Sequence, residues 1–267
     1  MLKLEGYDLI KELNSTSQLS SGIYRRLSDD GVVVLKFPRE QNPASHVVTK
    51  LRHEYHLLKQ FDTNNIIKAV ELIETYTVPV LVLEKIDKIS LQAYLQNKPL
   101  DLETFFKLAL QIVSILQLVH EKGIAHKDIK PANLLIDPTT LAITLIDFGI
   151  ASQASLDHAL NSQSTLLEGS LAYLSPEQTG RMNIPVDFRT DFYSLGITFY
   201  QMLTGMLPYR EKDSLDLMYS HIARNIPAVI DAVAVPEMLS RLVAKLMAKA
   251  PEDRYNSDVY LLKDLEH

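Results

Sequence analysis

The rhythm of apolar and polar positions changes once along this chain. From Tyr7 to about Leu83 the apolar residues come in short β-rich runs, GIYRRL, VVVLKF, IIKAVELIET and VPVLVLE, which predict strands. The Asp30-Gly31 pair between the first two predicts a tight hairpin with Gly31 at positive φ. One helix interrupts the strands. Between Ser45 and Phe61 the residues Val47, Val48, Leu51, Tyr55, Leu58 and Phe61 recur at helical spacing, as one face packed on a sheet requires. Beyond Ile86 the rhythm turns mainly helical. LETFFKLALQIVSILQLVH carries Phe105, Leu108, Ile112, Ile115, Leu116 and Val119 on one stripe, with Asp101 as N-cap and Gly123 just past the end. Further helices are expected at about 190 to 204, 214 to 224 and 236 to 249. With no repeat and no Pro-, Gly- or Ser-rich linker, the simplest architecture is a small sheet-based lobe joined near Glu84 to Asp87 to a larger helical one.

Composition narrows the function. At 267 residues and 46% hydrophobic content, the chain can bury a sizeable core. A formal net charge of -6 argues against nucleic acid or an anionic membrane as the main partner. The absence of cysteine removes disulfides and thiolate metal sites, which suits a reducing compartment. No apolar run is read as long enough to span a membrane and the N-terminus has no signal-peptide core, so the expected location is cytoplasmic. The end, LLKDLEH, reads either as native helix or as the start of a Leu-Glu-His tag and is assigned no function.

Candidate chemistry lies in IAHKDIKPANLLID, residues 124 to 137, and LIDFGI, residues 145 to 150. Asp128, Lys130, Asn133 and Asp147 fall on two loops flanked by short apolar strands, and Pro131 keeps the first loop from becoming helix. A carboxylate, an ammonium and an amide within six positions, plus a second carboxylate before a glycine, can position a hydroxyl nucleophile and ligate Mg²⁺. Taken singly, each of these residues reads equally as a structural hydrogen-bonding group.

Jointly, these residues resemble the eukaryotic-like serine/threonine protein kinases, and the resemblance covers almost the whole chain. AHKDIKPANLL is similar to the kinase catalytic loop H-R-D-L-K-P-x-N, and Asp147-Phe148-Gly149 matches D-F-G unaltered. YLSPE resembles A-P-E with Ser175 in the alanine's place; DFYSLG resembles D-x-W-S-x-G with Tyr193 for Trp; PEDRY supplies Arg254 to pair with Glu177. VVVLK resembles V-A-I-K. The implied fold is α+β and bilobal: an antiparallel-sheet N-lobe with one main helix over residues 1–84 and a mainly helical C-lobe over 85–267, together one kinase domain over 7–265. The implied function is transfer of the γ-phosphoryl of ATP, with Mg²⁺ or Mn²⁺, to Ser or Thr of proteins, including autophosphorylation.

The resemblance also implies roles. Asp128 orients the acceptor hydroxyl, Lys130 balances charge on the moving phosphoryl, and Asn133 and Asp147 hold metal. Lys36, fixed by Glu54, contacts the α- and β-phosphates; Glu84 and Ile86 face adenine by their backbone behind Leu83 as gatekeeper; Ser21, Ile23 and Leu135 complete the nucleotide contacts. His126 and Phe148 are spine members, so His126 is not read as a general base, Asp191 with Glu177 and Arg254 hold the lobe, and His53 and His56 read as a solvated helix face. The KPAN wording and Ser170 point to Ser/Thr acceptors. GSLAYLSPEQTGRMN followed by DFRTDFYSLGITFYQMLTGMLPY is most like kinase domains that open large bacterial signalling proteins, ahead of ATPase or sensor modules, so the chain is read as a domain or short relative of such a protein.

Two departures and one Ser-rich segment stand out. Lys127 replaces the usual Arg, whose fork receives an activating phosphate better than an ammonium does. The segment from Ala151 to Glu168 carries Ser152, Ser155, Ser162, Ser164 and Thr165, of which Ser164 and Thr165 are the expected autophosphorylation sites. Most telling is ELNSTSQLSSGIYRR, where Thr16, Gln18 and Ser21 stand at the glycines of G-x-G-x-x-G. Glycine lets a backbone approach phosphate closely, so a loop offering Ser and Thr hydroxyls instead should cover ATP loosely. Two alternatives follow: a pseudokinase scaffold that binds nucleotide weakly, and a small-molecule phosphotransferase, which would lack SPE, DFYSLG and Arg254. If looseness comes from the missing glycines, Thr16→Gly, Gln18→Gly and Ser21→Gly together should tighten ATP binding in a titration; unchanged or weaker affinity counts against it.

Overall fold

The computed structural model describes residues 4–74, 76–153 and 171–267, with backbone alone at 14 and 15. The expected sites Ser155, Ser162, Ser164, Thr165 and Ser170 lie outside the described residues. Two compact units emerge, residues up to Asp87 with Ile146–Ile150, and Lys88–Leu145 with the residues from Ala151 onward.

The first unit is built on an antiparallel sheet of β1 (Tyr7–Ser15), β2 (Leu19–Arg26), β3 (Val32–Pro38), β4 (Ala69–Ile73) and β5 (Val80–Glu84), in the order β1-β2-β3-β5-β4. Strand alternation divides its side chains cleanly. Tyr24, Val33, Leu35, Phe37, Val80 and Val82 form a buried cluster with Leu4 on one face. The pairs Ser21↔Lys36↔Leu81 and Ile23↔Val34↔Leu83 place the expected nucleotide contacts together on the other. Helix α1 (Ser45–Leu58) buries Val47, Leu51, Leu57 and Leu58, and with them Glu54; Val48 and Tyr55 are only half-buried.

Two expectations here are corrected. β1 was not among the predicted runs, because its Leu9, Ile10 and Leu13 are exposed along an edge strand with two register shifts and leave no clean alternation. At the β2–β3 hairpin the left-handed residue is Asp30, φ 57°, not Gly31. Asp29 explains this: its carboxylate accepts from the Gly31 N–H at 3.0 Å and from Arg26, closing an Asx-type turn that carries Asp30 into positive φ.

The second unit is mainly helical. Its α2 is Leu91–Leu95, α3 Leu102–His120, α4 Arg189–Thr204, α5 Ser214–Ala223, α6 Glu237–Leu246 and α7 Asp258–Glu266. Asp101 caps α3 as expected, accepting from the Thr104 N–H at 2.8 Å, and Gly123 lies just beyond at φ 69°. By length and composition α3 is apolar enough to cross a membrane, contrary to the expectation that no run reaches that length, but its stripe from Phe105 to Val119 is core here. Helix α4 is buried from Thr190 to Thr204, and Gly196 lets it approach α6: a Cβ there would come within 2.7 Å of Met247 Cγ. Short strands complete the unit: β6 (Ile89–Ser90), β8 (Leu134–Ile136) and β9 (Ile143–Leu145) form one sheet, β7 (Ile124–Ala125) and β10 (Ser152–Gln153) another, so Ser152 is buried in a strand.

The pair expected between Glu177 and Arg254 forms, bidentate at 2.6 and 2.8 Å with both side chains almost wholly buried. Arg254 also donates to the carbonyls of Ala248, Lys249 and Arg189, which ties the turn at Pro176–Thr179 to α4 and to the chain after α6. Arg254→Met strands a buried carboxylate, which should cost about 3–5 kcal/mol. Calorimetry should show a Tm lowered by roughly 10 °C, with part of the loss recovered when Glu177→Gln is added.

Candidate active site

In the second unit the loop after β7 runs His126, Lys127, Asp128, and its shape is set by one carboxylate. Asp191, fully buried near the start of α4, accepts the N–H groups of His126 and Lys127 at 2.7 Å each. His120 at the end of α3 reaches Asp191 through Nε2 at 3.0 Å and Asp258 through Nδ1 at 2.9 Å. Burial alone would lower the His120 pKa, but the two carboxylates outweigh it and raise it to about 9. His120 is therefore a buried imidazolium between two carboxylates.

Held this way, the loop gathers the predicted residues. Lys130 Nζ lies 2.9 and 2.7 Å from the two carboxylate oxygens of Asp128, and Asn133 Nδ2 donates to Asp128 O at 2.9 Å and Asp128 Oδ2 at 2.8 Å. Pro131–Asn133 is a single 3₁₀ turn, which brings Asn133 back over Asp128. Leu135 lies half-buried on β8 between buried Leu134 and Ile136. His126 is fully buried and its Nδ1 accepts from the Asp128 N–H at 3.3 Å.

In the first unit Lys36 Nζ is 2.9 and 2.8 Å from the carboxylate oxygens of Glu54 and 2.8 Å from Asp147 Oδ1. Burial opposes the charge on Lys36, but Asp147 and Glu54 outweigh it and hold the ammonium pKa above its ordinary value. For Glu54 burial dominates and raises the carboxyl, against the pull of Lys36. Asp147 has φ 66°, and Phe148 is fully buried with its ring 5.8 Å from Phe61. Gly149 is closely packed: a Cβ there would stand 3.2 Å from both Lys36 Nζ and Asp147 Oδ1, so these side chains would have to give by a few tenths of an ångström. Glu84 ends β5; its N–H donates to Lys68 O at 3.0 Å and its carboxylate accepts from the Lys68 N–H at 2.8 Å. Ile86 follows, half-buried.

The glycine-poor stretch is neither free loop nor phosphate cradle by composition alone. Thr16 Oγ1 accepts from the N–H groups of Gln18 and Leu19 at 3.2 and 2.9 Å, so this hydroxyl closes the β1–β2 turn. Arg39 donates to the carbonyls of Gln18 and Thr16, and Gln18 Nε2 lies 3.1 Å from His46 Nε2 on α1. The one glycine of the stretch, Gly22, serves strand packing, since a Cβ would meet Tyr24, Leu9 and Lys11 at 3.0–3.1 Å. Sequence reasoning missed His46 and Val34, which shares the sheet face of Lys36; the place of Val34 beside Ile23 was signalled by the alanine of V-A-I-K.

A carboxylate and an amide oxygen suit a hard cation whose remaining ligands come from substrate phosphates. With Asn133 Nδ2 turned to Asp128, its Oδ1 is the end directed elsewhere. Among the described residues no three His, Asp or Glu side chains converge as a self-sufficient metal cage, and His53 and His56 form none.

The chain belongs to the protein kinase domain family, whose model matches residues 20–264. A probable serine/threonine-protein kinase PknB of Lactococcus lactis is 28% identical over 266 residues, covering 97% of this chain and 41% of that protein. Serine/threonine-protein kinase PknB of Mycobacterium leprae is 30% identical over 243 residues, covering 89% and 38%. A hybrid signal transduction histidine kinase G of Dictyostelium discoideum is 30% identical over 234 residues, covering 62% of this chain and 7% of that far longer protein. The chain thus spans less than half the length of these relatives.

The His120 pKa sets a pH dependence. Because it is raised in the folded state from 6.5 to about 9, its contribution is complete below about pH 6.5, declines as pH rises and is gone above about 9. Denaturant unfolding should lose up to about 3 kcal/mol across that window, and His120→Asn should flatten the dependence.

Proposed function

We propose that this domain is a serine/threonine protein kinase that transfers the γ-phosphoryl of ATP to hydroxyls of proteins and of itself. The observation that carries this reading is the convergence of Lys130 and Asn133 on the Asp128 carboxylate. A carboxylate presented this way can accept a hydrogen bond from an alcohol and take its proton late in transfer, while Lys130 offsets the negative charge of the migrating phosphoryl. Lys36 is suited to the α- and β-phosphates, and its bonds to Glu54 and Asp147 set where its charge is delivered. A divalent cation, Mg²⁺ in the usual case or Mn²⁺, would supply charge neutralisation on the phosphates, with Asn133 and Asp147 as its protein ligands. Ser21, Ile23, Leu135 and the backbone of Glu84 and Ile86 complete the nucleotide contacts. The names of the bacterial relatives and the Lys-Pro-Ala-Asn wording support Ser/Thr rather than Tyr acceptors. Their greater length supports a parent protein in which further modules regulate this domain.

Label transfer from γ-labelled ATP to the domain and to a generic basic protein tests this reading. Asp128→Asn should lose at least about a hundredfold in rate, with wild-type label found on Ser or Thr. Wild-type protein that is folded yet transfers nothing would overturn it.

A further inference from the structure

The residue before Asp128 is the least comfortable in its loop. Lys127 has φ 68°, the left-handed region, which costs a residue with a Cβ about 1–2 kcal/mol and persists only where the surroundings hold it. Two groups grip its backbone. Asp191 accepts its N–H at 2.7 Å, and its carbonyl accepts from Nε2 of Gln178 at 2.9 Å. Gln178 falls within the GSLAYLSPEQTGRMN stretch, but the sequence assigns it no role of its own.

The other end of the same amide is equally occupied. Gln178 Oε1 accepts from the Ser175 N–H at 3.1 Å and from Ser175 Oγ at 3.0 Å, and Ser175 Oγ is in turn hydrogen-bonded to Thr190 Oγ1 on α4, next to Asp191. A carbonyl can only accept and a backbone N–H can only donate, so the amide's orientation is fixed from both sides. The contacts form a closed circuit: Lys127 to Gln178, to Ser175, to Thr190 and Asp191 on one helix, and back to Lys127.

We propose that Gln178 is a positioning residue for Asp128, coupling the Ser175–Thr179 turn to the catalytic loop through the Lys127 carbonyl. The proposal rests on the reading of Asp128 given above. Its geometry explains why a glutamine does this: a glutamate could cap Ser175 but not donate to Lys127, and a lysine could donate but not cap. Displacement of the turn is then felt one residue from the acceptor-orienting carboxylate, which ties catalytic competence to the Ser175–Thr179 turn.

Gln178→Glu separates the two halves of the contact. Ionised, it retains an acceptor for Ser175 and faces the Lys127 carbonyl with a second acceptor; protonated, it can donate as glutamine does. Expected at about pH 8 is a kcat lowered roughly tenfold to a hundredfold with KM for ATP little changed, and a defect that shrinks relative to wild type as pH falls towards about 5.5. Gln178→Met, of similar size and without either hydrogen bond, should show the kcat loss without the pH recovery. Amide hydrogen exchange of peptides spanning residues 124–130 should quicken in Gln178→Met and in ionised Gln178→Glu, with circular dichroism showing both variants folded. Unchanged kcat, or reduced kcat with unchanged exchange at 124–130, would overturn the coupling. Should wild type itself prove inactive, the reading of Asp128 fails by the label assay, while exchange still decides whether Gln178 holds the loop.

Discussion

A single buried carboxylate governs the catalytic loop. Asp191 is fully removed from solvent, and an isolated charge in such a place would be several kcal/mol unfavourable. It is sustained by two backbone N–H groups from residues 126 and 127 and by the His120 imidazolium, which shares its charge with Asp258. Because a carboxylate needs its donors as much as they need it, the loop has little freedom to relax, and a left-handed Lys127 is maintained next to Asp128. The helix that carries Asp191 is buried nearly throughout, so the anchor is as rigid as the unit's core.

The first unit solves a similar problem with opposite charge. Lys36 is mostly buried and engages two carboxylates, Glu54 from α1 and Asp147 from the segment 146–150. The position of α1 is thereby linked to where the ammonium stands. Gly149 shows how tightly this cluster is closed, since even a methyl group there would press on the ammonium and a carboxylate. The β1–β2 turn is joined to the same helix through Gln18 and His46, so a loop without the usual glycines is held by side chains that glycine does not have. The turn itself is braced by Thr16, Gln18 and Arg39, while how closely it covers a nucleotide is what the glycine variants test.

Much of the fold was legible because it rests on local rules. The stripe of α3, its Asp101 cap and the runs that became β2, β3, β4 and β5 follow from periodicity and capping chemistry that act within a few residues. Motif spacing located Lys36, Glu54, Asp128, Lys130, Asn133 and Asp147, and the structure gathers them into two sets, one in each unit. What escaped was whatever depended on distant partners. β1 has exposed apolar residues and bulges, so pairing with β2, not pattern, makes it a strand. Glu54 lies on the buried face of α1, where periodicity alone places no charge; motif spacing, not pattern, paired it with Lys36. Asp30, rather than Gly31, takes positive φ because the Asp29 side chain closes the turn.

By itself the sequence determined β2 to β5, α1 and α3 to α6, the identity of the charged groups and their membership of a kinase pattern, since hydrophobic period, caps and motif spacing are properties of neighbours along the chain. Only the tertiary structure decided which of those charges meet. Whether Gln178 is a surface amide or a brace, and whether His120 is neutral or an imidazolium, depends on partners from 51 to 138 residues away, brought within 3 Å by packing that no local window contains.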